Sequence, residues 1–74
     1  LYARRANPKA LFEFKTTIKL APNFAEAHNN LAVLYASMEP PQIELAREHA
    51  QKAISLGYEV NKNFLEIIGL GENK

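Results

Sequence analysis

The stretch HNNLAVLY, His28 to Tyr35, decides how the chain is read, because it sets an imidazole and two carboxamides at the head of an apolar run. Read alone, the polar triplet could be a reactive site or the point where a helix passes from one face to another. Within FAEAHNNLAVLYASM the second reading has the better periodicity: Leu31, Ala32 and Tyr35 recur at helical spacing, with His28 one turn before Leu31 and Ala32. Asn23 with Glu26 three residues on forms a capping-box-like start, so a helix is expected from there to about Met38.

Working outward, proline, glycine and asparagine cut the remainder into helix-length pieces, and none alternates as an exposed strand would. Asn7-Pro8 offers a cap and a first-turn proline, and PKALFEFKTTIKL repeats apolar groups at Leu11, Phe14 and Ile18, which predicts a first helix over about 8–20. Glu39-Pro40-Pro41 breaks the chain, since proline lacks a backbone donor and biases its predecessor away from helix. A third helix is expected from about Pro41 to Leu56, with Ala46, Ala50, Ala53 and Ile54 on one face and Gly57 as its left-handed stop. Asn61 can cap a fourth, KNFLEII, ended by Gly69 and Gly71. Four helices with short joints predict antiparallel neighbours in an all-α fold.

The sequence also repeats. An offset of 36 residues carries Ala10 onto Ala46, Ile18 onto Ile54, Leu20 onto Leu56, and Pro22 onto Tyr58. A repeat of that length at helix-pair spacing is the mark of a solenoid. These residues resemble the tetratricopeptide repeat family, whose pattern is W-x2-L-G-x2-Y, then A-x3-F, then P. His28 stands in the Trp slot, Leu31, Ala32 and Tyr35 in the Leu, Gly and Tyr slots, Ala46 and Ala53 in the small slots of the partner helix. Ala50 replaces the usual aromatic and Tyr58 the closing Pro, while Ala10, Phe14 and Pro22 keep the spacing in the earlier half-repeat. Two residues beyond the family pattern fall between Tyr35 and Ala46, at Pro40-Pro41, and are expected in the turn or the first turn of the next helix. Sel1-like and pentatricopeptide repeats share similar spacing. The resemblance implies an antiparallel helix-pair solenoid of about four helices: a half repeat over about 8–22, a full repeat over about 23–58, and a terminal helix over about 61–68. In physical terms, small Ala32, Ala46 and Ala53 permit close helix approach, while Leu31, Tyr35 and Ile54 fill the spaces between.

Composition excludes several functions. No cysteine occurs, so disulfides and thiolate zinc sites are ruled out. The longest apolar runs fall far short of the roughly 20 residues that span a bilayer, and the chain reads as soluble, with no membrane partner. The opening LYARRANP, without an initiating methionine, reads as a segment of a longer protein or a processed product. The net charge of +1 argues against general nucleic-acid affinity, although it is uneven: five bases and one acid up to Pro22, then four bases and seven glutamates. His28 and His49 could contribute to a metal site with Glu44 or Glu48, but zinc needs three or four ligands at recognisable spacing, such as H-E-x-x-H, and none occurs. His28 is expected as an aromatic-sized packing residue with its nitrogens near solvent or a carbonyl, and His49 as a partly exposed helix residue. Ser37, Ser55, Thr16 and Thr17 have no base at an orienting spacing, there is no Asp, and the glycines form no phosphate cradle. No catalysis, cofactor or metal is expected. The glutamates read as surface groups, several able to pair with a base one turn away, as Glu44, Glu48 and Lys52 suggest.

Recognition of a protein or peptide remains. The resemblance implies a concave groove lined by the first helix of each pair, here Glu26, Asn29, Asn30, Val33 and Ser37, with Lys62, Leu65 and Glu66 from the last helix. Asn can donate to and accept from an extended peptide backbone; equally, Asn29 and Asn30 can be plain surface or helix–helix hydrogen-bonding residues. One subfamily clamps a terminal carboxylate with Lys and Asn. Asn30 and Lys62 fit that clamp, whereas Val33 cannot hydrogen-bond and Glu66 repels an anion. Apolar groups also occupy more than one side of the first helix (Leu11, Phe12, Phe14, Ile18) and of the last (Phe64, Leu65, Ile67, Ile68, Leu70), which predicts a homodimer or other self-assembly through exposed apolar end helices. Were residues 1–5 the remnant of a preceding helix, the first end would be a cut face. A third reading, an RNA-binding helical repeat, would use Arg4, Arg5, Lys9, Lys15 and Lys19 as phosphate contacts; against it, these bases do not interleave with aromatics on one evident face.

Overall fold

Pro8 opens the first helix, α1 (Pro8–Leu20), where its missing N–H costs nothing, and Lys19 in the last turn complements the helix dipole. The chain then turns tightly over residues 21–24, with Phe24 N–H donating to the Ala21 carbonyl at 3.0 Å. Pro22 and Asn23 are the central pair of that turn, a position suited to both. Three further helices follow: α2 (Ala25–Ala36), α3 (Ile43–Ser55) and α4 (Lys62–Ile67). The computed structural model describes residues 8–71, and expectations for Asn7, Arg4, Arg5 and residues 1–5 lie outside them. The chain is an all-α helix-pair fold, and no strand occurs among the described residues.

Helices α2 and α3 run antiparallel in a definite register. His28, near the start of α2, meets His49 in the second half of α3, and seven residues on, the Tyr35 carbonyl accepts from Gln42 N–H at 2.9 Å, just before α3 begins. The core lies along this seam: Leu31, Ala32, Tyr35, Ala46, Ala50 and Ile68 are buried together. Ala32, Ala46, Ala50 and Ala53 are fully buried, and the lack of side-chain bulk lets the two backbones approach closely. Leu11, Phe14 and Ile18 of α1 and Phe64, Leu65 and Leu70 at the other end pack partly buried against that cluster.

Two helix ends share one device. Gly57 (φ 93°) follows α3 and Gly69 (φ 84°) follows α4, each in the left-handed region. After α3, Gly57 N–H donates to Ile54 O and Tyr58 N–H to Ala53 O; after α4, Gly69 N–H donates to Glu66 O and Leu70 N–H to Leu65 O. Both are Schellman stops, and they satisfy carbonyls that a helix end leaves open. Gly71 is not left-handed, so Gly69 alone ends α4 in this way.

Several local expectations change. The cap of α2 is Phe24, not Asn23, and it makes no side-chain cap bond. Asn23 is held inside the 21–24 turn, so the capping box does not form. Glu26 instead stands in the first turn of the helix, where its charge suits the dipole. Helix α2 ends at Ala36 rather than near Met38, and α3 begins at Ile43 rather than Pro41. The two prolines withhold donors, the Tyr35 carbonyl is taken by Met38 and Gln42, and Ser37 Oγ bonds the Val33 carbonyl at 2.8 Å. The extra pair Pro40-Pro41 therefore lies wholly in the connection. Ile54 does not fill the core: it is 45% exposed. Its repeat mate Ile18 does pack inward. Glu48 and Lys52 close no ion pair with each other.

Candidate functional site

Helix α2 carries two different faces, and HNNLAVLY is divided between them. His28, Leu31, Ala32 and Tyr35 are buried, while Asn29, Asn30 and Val33 turn away from the seam, the amides half-buried and Val33 42% exposed. The side chains of Asn29 and Asn30 make no hydrogen bond to another described residue. Their donors and acceptors are therefore open to a ligand or to water, which is not the arrangement of helix–helix hydrogen-bonding residues.

The expected groove residues are only partly brought together. Asn29 and Lys62 line one cleft of about 500 Å³ with Tyr58, Glu59, Val60 and Asn61. Lys62, Leu65 and Glu66 line another of about 450 Å³ with Leu70 and Gly71. Glu26, Asn30, Val33 and Ser37 line neither. Glu26 is exposed at the start of α2, and the Ser37 hydroxyl is already committed to the Val33 carbonyl. Leu65 is shared between the second cleft and the core. Tyr58 and Glu59 were not marked as site residues by the sequence; the 58–61 segment reaches α2 because the Gly57 stop reverses the chain there, and Asn61 then caps α4 by accepting from Phe64 N–H at 3.0 Å. The first cleft presents an amide and an ammonium as donors beside the Glu59 carboxylate, a mixture suited to polar backbone groups.

On the opposite face, the close helix approach sets three rings in a row. His28 and His49 stack with centroids 5.3 Å apart and planes 24° apart, and Tyr35 stacks on His49 at 5.7 Å and 26°. His28 is 5% exposed yet both its nitrogens have partners: Nε2 lies 2.8 Å from the Pro22 carbonyl and Nδ1 lies 3.1 Å from His49 Nδ1. His28 was expected to pack against the preceding helix with its nitrogens near solvent or a carbonyl; a carbonyl is there, that of Pro22, but the ring pairs with His49 on the following helix, which was not foreseen. Burial holds the His49 pKa below its ordinary value; positive charge on His28 and on Lys15 lowers it further, and Glu48 alone acts against them. Among the described residues no three His, Asp or Glu groups converge as metal ligands do.

One further residue escaped sequence reading. Arg47 reaches along α3 so that its Nε–H donates to the Ile68 carbonyl, tying α4 to the helix pair. The guanidinium occupies the space that a Cβ at position 69 would enter, 2.7 Å from Nη2, so Gly69 is required by room as well as by φ. The basic face of α1 also needs revision. Phe12 is 70% exposed and shares its side of the helix with exposed Lys15 and Lys19, so an aromatic does stand among the bases there. No helix among the described residues is long and apolar enough to cross a membrane.

No family model, curated protein or solved structure matches this chain.

Proposed function

We propose that the chain is a protein- or peptide-interaction module of tetratricopeptide-like build, acting as a scaffold without catalysis, cofactor or metal. The observation that supports this reading is the outward face of α2, where two half-buried carboxamides without hydrogen-bond partners among the described residues flank an exposed Val33. An extended peptide laid along that face would exchange backbone hydrogen bonds with Asn29 and Asn30 and bury a side chain on Val33. Lys62, which shares a cleft with Asn29, would orient a partner carbonyl or carboxylate. Glu26 and Ser37 extend the same face toward its two ends, and Leu65 offers apolar surface beside Lys62. Replacing Asn30 and Val33 together by alanine weakens partner binding and leaves the fold intact; unchanged affinity sinks the assignment.

Self-association is a second reading, and one observation favours it: Phe12, Leu20 and Ile67 are 70%, 80% and 71% exposed on the two end helices. It differs from peptide binding in needing no ligand. Light scattering would show mass rising with concentration, and a monomeric mass at high concentration would rule it out.

A further inference from the structure

The hydrogens on His28 and His49 follow by elimination. The Pro22 carbonyl can only accept, so His28 Nε2 carries a hydrogen and donates it across 2.8 Å. Over the 3.1 Å Nδ1···Nδ1 contact, one nitrogen must donate and the other accept. In the neutral pair the donor is His49 Nδ1–H, because His28 already holds its one hydrogen on Nε2. One added proton can enter without breaking the contact: it is taken up at the free His49 Nε2, and a single hydrogen still lies between the two Nδ1 atoms, held by one ring and accepted by the other. A second added proton cannot, since both Nδ1 atoms would carry hydrogens aimed at each other, and two cations would face one another with ring centroids 5.3 Å apart.

We propose that His28 and His49 form a proton-operated latch between α2 and α3, closed with zero or one added proton and released by two. The groups around it are placed to favour this behaviour. Lys15 on α1 sets positive charge toward His49, Tyr35 on α2 covers its ring, and Glu48 on α3 is the acid that offsets them. Because Pro22 lies in the connection between α1 and α2, release loosens three parts together: that turn, the first half of α2 and the second half of α3. The latch concerns the helix pairing itself and stands apart from the recognition reading.

Long-range nitrogen–proton correlation spectra of the imidazoles in the full chain, taken from about pH 8 to about pH 4.5, test it directly. At the upper limit His28 should be the Nε2–H tautomer and His49 the Nδ1–H tautomer. The pair should take up its two protons in separate steps and not as independent rings, with backbone shifts along α2 and α3 following the second. A His28 Nδ1–H tautomer, or two rings titrating independently, overturns the proposal. His49→Phe, which keeps a ring beside Tyr35 but binds no proton, supplies a second measure: its thermal midpoint should fall less than the parent's between about pH 7.5 and about pH 5. Equal falls would contradict the latch.

Discussion

Truncating Leu31 to alanine should remove most of the stability this fold has. Leu31 is 1% exposed and, with Ile68, is one of the two largest side chains buried completely. The buried cluster to which it belongs includes Ala46 and Ala50 on the facing helix, which have no rotatable side chain with which to fill a void. The cavity therefore persists, which places the cost in the middle or upper part of the ~2–5 kcal/mol range for such truncations. A single core of this size without a disulfide holds about 3–5 kcal/mol in all. A loss of about 3–4 kcal/mol leaves the variant close to half unfolded in water. Urea titration followed by far-UV circular dichroism would read this as a loss of the folded baseline. Val33→Ala, two residues along the same helix, is the control: on the outward face it should cost within about 0.5 kcal/mol. If Leu31→Ala retained a cooperative transition within about 1 kcal/mol of the parent, or if Val33→Ala cost as much, the division of α2 into a packing face and an open face would be wrong.

Other consequences are open to similar checks. Asn61→Ala removes the bond to Phe64 N–H, and thermal melts should show a loss of about 0.5–2 kcal/mol, concentrated in amide exchange of α4. Gly69→Ala forces a left-handed alanine against the Arg47 guanidinium; it should cost at least about 1–2 kcal/mol, and Arg47→Ala in the same chain should not restore the parent, because the bond to the Ile68 carbonyl is lost too. Stability should also depend on pH through His49. Its folded pKa is lowered, so the unfolded chain binds the proton more readily; the contribution is complete above the unfolded value of about 6.5 and is lost as pH falls below it. Midpoints measured across that range that did not fall with acidification would contradict the sign.

The helix breakers and periodic apolar groups were enough to place four helices, because Pro8, the Pro40-Pro41 pair, Gly57 and Gly69 act through backbone geometry that is local to each of them. The two faces of α2 were legible for the same reason, as helical spacing alone separates Leu31 and Tyr35 from Asn30 and Val33. What could not be read depended on partners distant along the chain. Ile54 repeats Ile18 in sequence, but whether it is covered depends on what the folded chain packs against it. His28 and His49 each have an ordinary local setting, and only the register of α2 against α3 joins them. Nothing in the sequence around Arg47 points to the Ile68 carbonyl, which it meets only in the folded chain. Asn23 has the chemistry of a cap, yet the 21–24 turn claims it first.

The recognition claim is tested most directly by amide-shift mapping. An extended peptide selected from a random library against the protein would be titrated into labelled chain, with the shifts followed residue by residue. The account predicts that the largest changes fall on Asn29, Asn30, Val33 and Lys62, while Leu31, Ala46 and Ala50 in the seam move little. Changes confined to Phe12, Leu20 and the other exposed residues of the ends, with α2 unmoved, would contradict it.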